Sequence, residues 1–406
     1  MSVVVPFRAL RPTPDAVGKV ASVPYDVVST EEARQLARDN ALSFLHVTRA
    51  EIDLPAETSP YDGRVYAQAV RNFEELKRAA PLVQESEPSL YFYRLKMGAH
   101  EQTGVAGCFS LDEYDAGLVK KHEKTRRDKE DDRTRHMIEL RAQTGIVFLT
   151  YRASAAIDKM TARATAAPPL FDLAAPDGVR HAVWRASGAD RDMLISAFAA
   201  LPALYVADGH HRVASAARAR AEIARDGGRT ADAATFIATA FPDTQVRIEA
   251  YNRTVKDLAD QTPEAFLAAL ASAGVGVGPG ASIPDRAGEV SMYLAGRWHR
   301  LTLPAVAPGT PRDESLDVEV LQRRVLEPLL KVGDPRSDKR IDFVGGARGP
   351  QELERLVQSG KAAVAFSMFP VSVDDLMSIA DAGGIMPPKS TWFEPKLRDG
   401  LLVHLI

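Results

Sequence analysis

Cysteine is nearly missing from this chain. Cys108 is the single one among 406 residues, which excludes an intramolecular disulfide and a thiolate metal cage and points to a reducing compartment. No apolar run reaches the roughly 20 residues needed to cross a bilayer, so no membrane span is expected. The N-terminal stretch from Met1 to Arg8 lacks the basic segment, long apolar run and small-residue cleavage site of a signal peptide, and a cytoplasmic protein is the expectation. A basic excess is lacking too. The formal net charge of −3 argues against a surface built globally for nucleic acid. Several signature loops are also absent: Gly-x-x-x-x-Gly-Lys-Ser/Thr, His-Glu-x-x-His, Gly-x-Ser-x-Gly and Cys-x-x-Cys. The P-loop NTPase, zinc protease and serine hydrolase readings therefore lose their support.

What is present is the composition of an ordinary folded protein, 45% hydrophobic and 26% charged. The length of 406 residues exceeds the usual size of one hydrophobic core, so two domains are expected. A shift in composition after the strand-like 236–241 places the boundary near 245, giving an N-terminal domain over 1–245 and a C-terminal domain over 246–406.

Helix and strand signals alternate irregularly along the chain. Residues 1–30 carry Pro6, Pro12, Pro14 and Pro24 and read as extended chain with turns. Ser29-Thr30-Glu31-Glu32 then opens a helix through Arg38, with Ser29 or Thr30 as N-cap and the acids in the first turn, where the dipole favours them. Residues 44–47 read as a strand, 66–79 as an amphipathic helix with Val70, Phe73 and Leu76 on one face, and 89–95 with 103–110 as an antiparallel pair. Further strands are expected over 145–151, 179–184 and 236–241, a hairpin around Ala295-Gly296, a helix over 316–330 and a strand over 361–368. The glycine run from Gly274 to Gly280 superficially suggests a dinucleotide loop. No strand precedes it and no helix follows, so it reads as a helix C-cap with a flexible turn.

The richest stretch runs from Leu204 to Ala216. Leu204 and Val206 are strand-like, Asp208-Gly209 is a turn signal, and Val213, Ala216 and Ala217 recur at helical spacing. Asp208 is expected at or just before a helix N-cap, where the first amides have no internal partner and favour an anion. His210, His211 and Arg212 add side-chain donors, and the set as a whole suits a phosphate. A second unusual stretch, from Lys120 to His136, is dense in both charge signs. Most of it reads as a solvated helix laced with ion pairs. His122-Glu123 stands just before that helix, at a strand end or loop, where catalytic groups are commonly presented. Two polar clusters, from Gly333 to Phe343 and from Pro387 to Lys396, read as surface loops or, through Lys389 and Ser390 behind two prolines, as a phosphate or carboxylate clamp.

The run Ala207-Asp208-Gly209-His210-His211-Arg212 resembles the Asp-Gly-His-His-Arg motif of the ParB/sulfiredoxin-like fold, notably of its free serine kinases. The whole chain is similar to the family called domain of unknown function 1015. That likeness runs through Pro24-Tyr25-Asp26-Val27, His122 to Thr125 with Asp132-Arg133, Gly145 to Tyr151, the Asp208 junction, Tyr251-Asn252-Arg253, Asp338 to Phe343 and Pro387 to Thr391. In the serine kinases a His-Glu pair precedes a helix, an apolar strand and then the Asp-Gly-His-His-Arg turn, and the glutamate is the proposed base. Here residues 152–203 form an insertion before the turn, which leaves the substrate open. The resemblance implies an α+β fold: a ParB/sulfiredoxin-like mixed core over about 105–245, with large N- and C-terminal α/β extensions.

The activity implied is nucleotide-dependent phosphoryl transfer to a small hydroxylated metabolite, as in a free L-serine kinase. Glu123, His122 and Asp208 are the expected catalytic residues. Gly209, His210, His211 and Arg212, with Thr125 and Arg133, are expected to hold ATP or ADP. Lys339, Arg340, Lys389 and Ser390 are expected to bind substrate, and Asp208 with Glu123 to carry Mg²⁺. A small-molecule substrate and a nucleotide are the expected partners and a homodimer is admitted; membrane and nucleic acid are not expected. Two alternatives use the same residues. One is hydrolysis of phosphoserine or a nucleoside triphosphate, with water replacing the acceptor hydroxyl. The other is a ParB-like nucleotide- or DNA-binding protein, against which the negative net charge weighs.

Overall fold

The computed structural model describes residues 3–228 and 231–406; the first two residues of the N-terminal stretch lie outside them. The chain forms two units, one of residues up to Val246 together with Pro395–Ile406, the other of Arg247–Glu394. The composition shift assigned everything after 245 to a C-terminal domain, whereas Pro395–Ile406 returns to the first unit. Backbone hydrogen bonds anchor it there: Leu10 and Val403 exchange bonds of 3.0 and 2.9 Å, and Ser22 and Asp399 exchange two of 3.0 Å. The architecture is mixed α+β, and no helix among the described residues is long and apolar enough to cross a membrane.

The first unit is built on a mixed sheet, nine-stranded among the described residues. Its strands lie in the order Val119–Lys120, Leu204–Asp208, Val147–Tyr151, Thr235–Pro242, His100–Ser110, Leu90–Met97, Val179–Ala186 and Phe171–Ala174, with Val4–Val5 added to His100–Ser110. The expected antiparallel pair is there, with Tyr91 opposite Ala106 and Met97 opposite His100. Leu149, Val206, Phe236 and Ala238 on the sheet pack with Val213, Ala216 and Ala219 of the helix His210–Arg225 in one continuous core. The helix Arg127–Leu140 lies against His210–Arg225 and is tied to it by polar bonds: Ser215 Oγ donates to the Glu130 carbonyl at 3.2 Å, and Arg218 pairs with Glu130 and Asp131.

A smaller helical layer covers the N-terminal region, where Phe44, Val47, Phe73 and Leu76 share a core with Leu140 and Val403. The helix Thr30–Ala37 starts on a capping box, the Glu32 N–H donating to Ser29 Oγ and the Ser29 N–H to Glu32 Oε2. Residues 44–47, expected as a strand, belong instead to the short helix Leu45–Thr48, whose first amide donates to Ser43 Oγ.

The second unit carries a six-stranded antiparallel sheet in the order Gly276–Pro279, Arg297–Thr302, Glu289–Leu294, Val364–Met368, Tyr251–Val255 and Ile341–Gly345. The hairpin turns at Ala295 and Gly296, both at positive φ. The glycine run expected to be only a cap and turn forms an edge strand on Arg297–Thr302, with Pro279 at its end. An edge strand tolerates proline because one row of its backbone groups needs no ladder partner.

Candidate active site

The site grows from the strand Leu204–Asp208. On one side it pairs in parallel with Val119–Lys120, Leu204 opposite Val119 and Tyr205 opposite Lys120. That register carries His122-Glu123 alongside the end of the strand, although the two segments are far apart in sequence. On the other side it runs antiparallel to Val147–Tyr151, and the register slips between Val206 and Asp208, so that Asp208 opposes Phe148. A bulge of this kind re-aims the last side chain of a strand. Gly209 follows with φ of +95°, a conformation that costs any residue bearing a Cβ. A Cβ there would also sit 3.3 Å from Arg212 Cδ and 3.4 Å from Val147 Cα. The helix begins at His210, with the Arg212 and Val213 amides both donating to the Gly209 carbonyl.

Three chemically active side chains meet at this corner. Glu123 Oε2 lies 3.9 Å from His210 Nδ1. The His122 and His210 rings meet edge to face, with centroids 4.4 Å apart, and the His122 backbone N–H points at His210 Nε2 at 3.5 Å. Both rings are buried, 2% and 5% exposed, while the Glu123 side chain is 37% exposed and is the member that solvent reaches. Burial holds the His122 imidazole down to about 4, against a weaker opposing pull from the Val206 backbone and the Asp208 charge, and it holds His210 well below the usual histidine range. Among the described residues, neither ring nitrogen of His122 makes a hydrogen bond of ordinary geometry.

Asp208 stands beside this group but is spoken for. Lys396 Nζ donates to its Oδ2 at 2.8 Å. Burial works against ionisation of Asp208, yet Lys396 and Arg212 together hold its carboxyl far below the usual range. Of the expected Mg²⁺ pair, Asp208 is thus engaged by Lys396, while Glu123 lies against His210. Among the described residues, His122, Glu123 and His210 are close enough together to hold a metal, their ligand atoms lying within 4.8 Å of one another.

Arg212, expected on phosphate, is 5% exposed and turned inward. Its Nη2 donates to both oxygens of Asp26 at 2.9 and 2.7 Å, and its Nη1 to the Ile146 carbonyl at 2.7 Å. Arg133 is likewise engaged, with Asp132 at 2.7 Å and its guanidinium 4.3 Å from the centre of the Tyr25 ring. Thr125 donates to Glu130, and His211 Nε2 accepts the Arg126 N–H at 2.9 Å, which pins the segment following Glu123 to the helix start. Glu123, His122, Asp208, Gly209, His210 and His211 are thus brought together, with Thr125 close by in sequence, while Arg212 and Arg133 face the N-terminal segment.

The four residues expected to bind substrate lie in the second unit. Arg340 pairs with Asp257, and the Lys339 carbonyl accepts from Lys256 Nζ at 2.6 Å. Ser390 Oγ donates to the Pro387 carbonyl at 2.6 Å, and the Lys389 carbonyl accepts from Arg253 at 3.1 Å.

A family model described as protein of unknown function (DUF1015) matches residues 4–322. The chain belongs to this family. No curated protein matches the chain. Among solved structures, the DUF1015 chain is similar to a conserved hypothetical protein from Pyrococcus furiosus, at 14% identity and a TM-score of 0.36, over 74% of this chain and 95% of that one. It is similar at 12% identity and a TM-score of 0.38 to C-terminally truncated SbnI from Staphylococcus aureus, over 74% and 87% of the two chains. A free serine kinase in complex with AMP is similar at 11% identity and a TM-score of 0.37, over 74% and 91%.

Two residues that matter to this DUF1015 site carry no signal of their own in the sequence. Lys396 lies among other charges near the end of the chain, and nothing local announces that it neutralises Asp208. Asp26, in Pro24-Tyr25-Asp26-Val27, is distant in sequence from Arg212, and nothing local announces that the two pair.

Proposed function

We propose that this protein transfers a phosphoryl group from a nucleotide to the hydroxyl of a small metabolite, in the manner of a free serine kinase. The observation that carries the reading is the approach of the Glu123 carboxylate to within 3.9 Å of His210, the first residue of a helix. Phosphoryl transfer needs the donor held, its charge neutralised and the attacking hydroxyl oriented, with little covalent chemistry from the protein. Glu123 is partly exposed, so an incoming hydroxyl can reach it, and its role is to orient that hydroxyl and take its proton. A general base of this kind contributes ~10²–10⁴-fold.

The donor phosphates sit at the positive end of the helix His210–Arg225, near the His210 and His211 rings. Arg212 acts from behind, fixing the turn against Asp26 and the Ile146 carbonyl. The Glu123 carboxylate would hold Mg²⁺, which would supply neutralisation of the phosphate charge, a role hard cations fill with few protein ligands. Incubating the protein with serine and either ATP or ADP, and reading products by phosphorus NMR, tests the proposal. Serine-dependent formation of a phosphate monoester supports it. Release of inorganic phosphate from phosphoserine or nucleotide, with no ester formed, overturns it in favour of hydrolysis.

A further inference from the structure

We infer that His122, Glu123 and His210 form a binding site for one divalent first-row transition-metal ion of the zinc type. The case begins with a cost. A buried polar atom without a good hydrogen bond costs stability, and both ring nitrogens of His122 are buried without one of ordinary geometry, the Val206 backbone being the group that pulls on the ring. An apolar side chain would fill the same space without that loss. The second imidazole packs against the first at 4.4 Å, and a carboxylate oxygen reaches the second ring at 3.9 Å. Two imidazoles and one carboxylate converging from two different segments are a donor set for a cation.

The donor types select the ion. Imidazole nitrogen suits zinc, iron, copper and nickel, whereas magnesium takes oxygen ligands almost exclusively. A zinc-type ion holds nitrogen and oxygen at roughly 2.0–2.2 Å, and the present ligand atoms lie within 4.8 Å of one another, so closing on the ion takes a contraction of about an ångström. Glu123 can supply it, being partly exposed. The His122 N–H bond to His210 Nε2, at 3.5 Å, is at the far end of hydrogen-bonding distance and gives up little if the ring turns. Three protein ligands are the count of a catalytic site, which keeps a position open, whereas a structural zinc is closed by four. A carboxylate that gives one oxygen to the ion keeps the other for a substrate hydroxyl, so the site is compatible with the phosphotransferase reading without depending on it.

The test uses the full-length protein, stripped with a chelator and titrated with Zn²⁺ or Co²⁺ alone, with no nucleotide or acceptor present. One equivalent is expected to bind, Mg²⁺ in large excess should not displace it, and X-ray absorption on the zinc form should show two imidazoles and at least one oxygen. His122→Ala and His210→Ala should each weaken binding by 100-fold or more. Should a variant fail to fold, the wild-type absorption spectrum decides alone. An oxygen-only environment, no binding at millimolar metal, or wild-type affinity in folded His122→Ala overturns the site. Because the readout is metal binding, its failure is distinguishable from a failure to transfer phosphate.

Discussion

Lys396 Nζ lies 2.8 Å from Asp208 Oδ2, so the segment Pro395–Ile406 supplies the cation that keeps Asp208, at the end of the strand Leu204–Asp208, ionised. Replacing Lys396 with Met leaves a largely desolvated carboxylate beside the two histidines. A fully buried pair broken in this way loses about 3 to 5 kcal/mol, and partial exposure brings the expectation to roughly 1 to 3 kcal/mol. Urea denaturation measures it, and Asp208→Asn added to Lys396→Met should restore most of the loss.

Arg212 is expected to act on stability and not on nucleotide affinity. Arg212→Lys keeps the charge but cannot serve Asp26 and the Ile146 carbonyl in one planar fork. The expected cost is about 1 to 3 kcal/mol in chemical denaturation, with nucleotide Kd unchanged. A Kd that rises strongly while stability holds would return the guanidinium to the phosphates.

Much of the frame is legible in the sequence where the signal is local. The capping box at Ser29 and Glu32, the aromatic-rich run over 89–95 with its partner over 103–110, and the strand-to-helix junction at Asp208 each fix their own conformation within a few residues. Residues 44–47 are different. Phe44, Leu45 and Val47 are all buried, and an apolar run that short carries no period to separate helix from strand. The edge strand Gly276–Pro279 is decided by its partner Arg297–Thr302, which its own glycines cannot announce. The same holds at the site. His122, Glu123 and the two histidines of the turn are visible as motifs, but the partners of Asp208 and Arg212 come from opposite ends of the chain, and only the folded arrangement pairs them.

Asp399 sets a pH dependence of stability. Burial, opposed by Arg212 and assisted by Asp26, lifts its carboxyl to about 7. The folded protein therefore retains a proton that the unfolded chain releases above about 4. Stability from this group is full below pH ~4 and is lost as pH rises through 7, at a cost on the order of 4 kcal/mol by pH 8. Asp399→Asn should gain on wild type steadily across that window in urea denaturation. A difference that stays flat with pH would show that Asp399 ionises normally.

The most direct measurement compares nucleotide binding and phosphoryl transfer in wild type and Glu123→Gln, a change that keeps the shape of the side chain and removes the base. The expected result is a fall in kcat of ~10² or more, with nucleotide Kd within about threefold of wild type. Wild-type turnover in the variant, or loss of nucleotide binding in step with turnover, would contradict the meeting of Glu123 and the His210 helix around one transferring phosphoryl group.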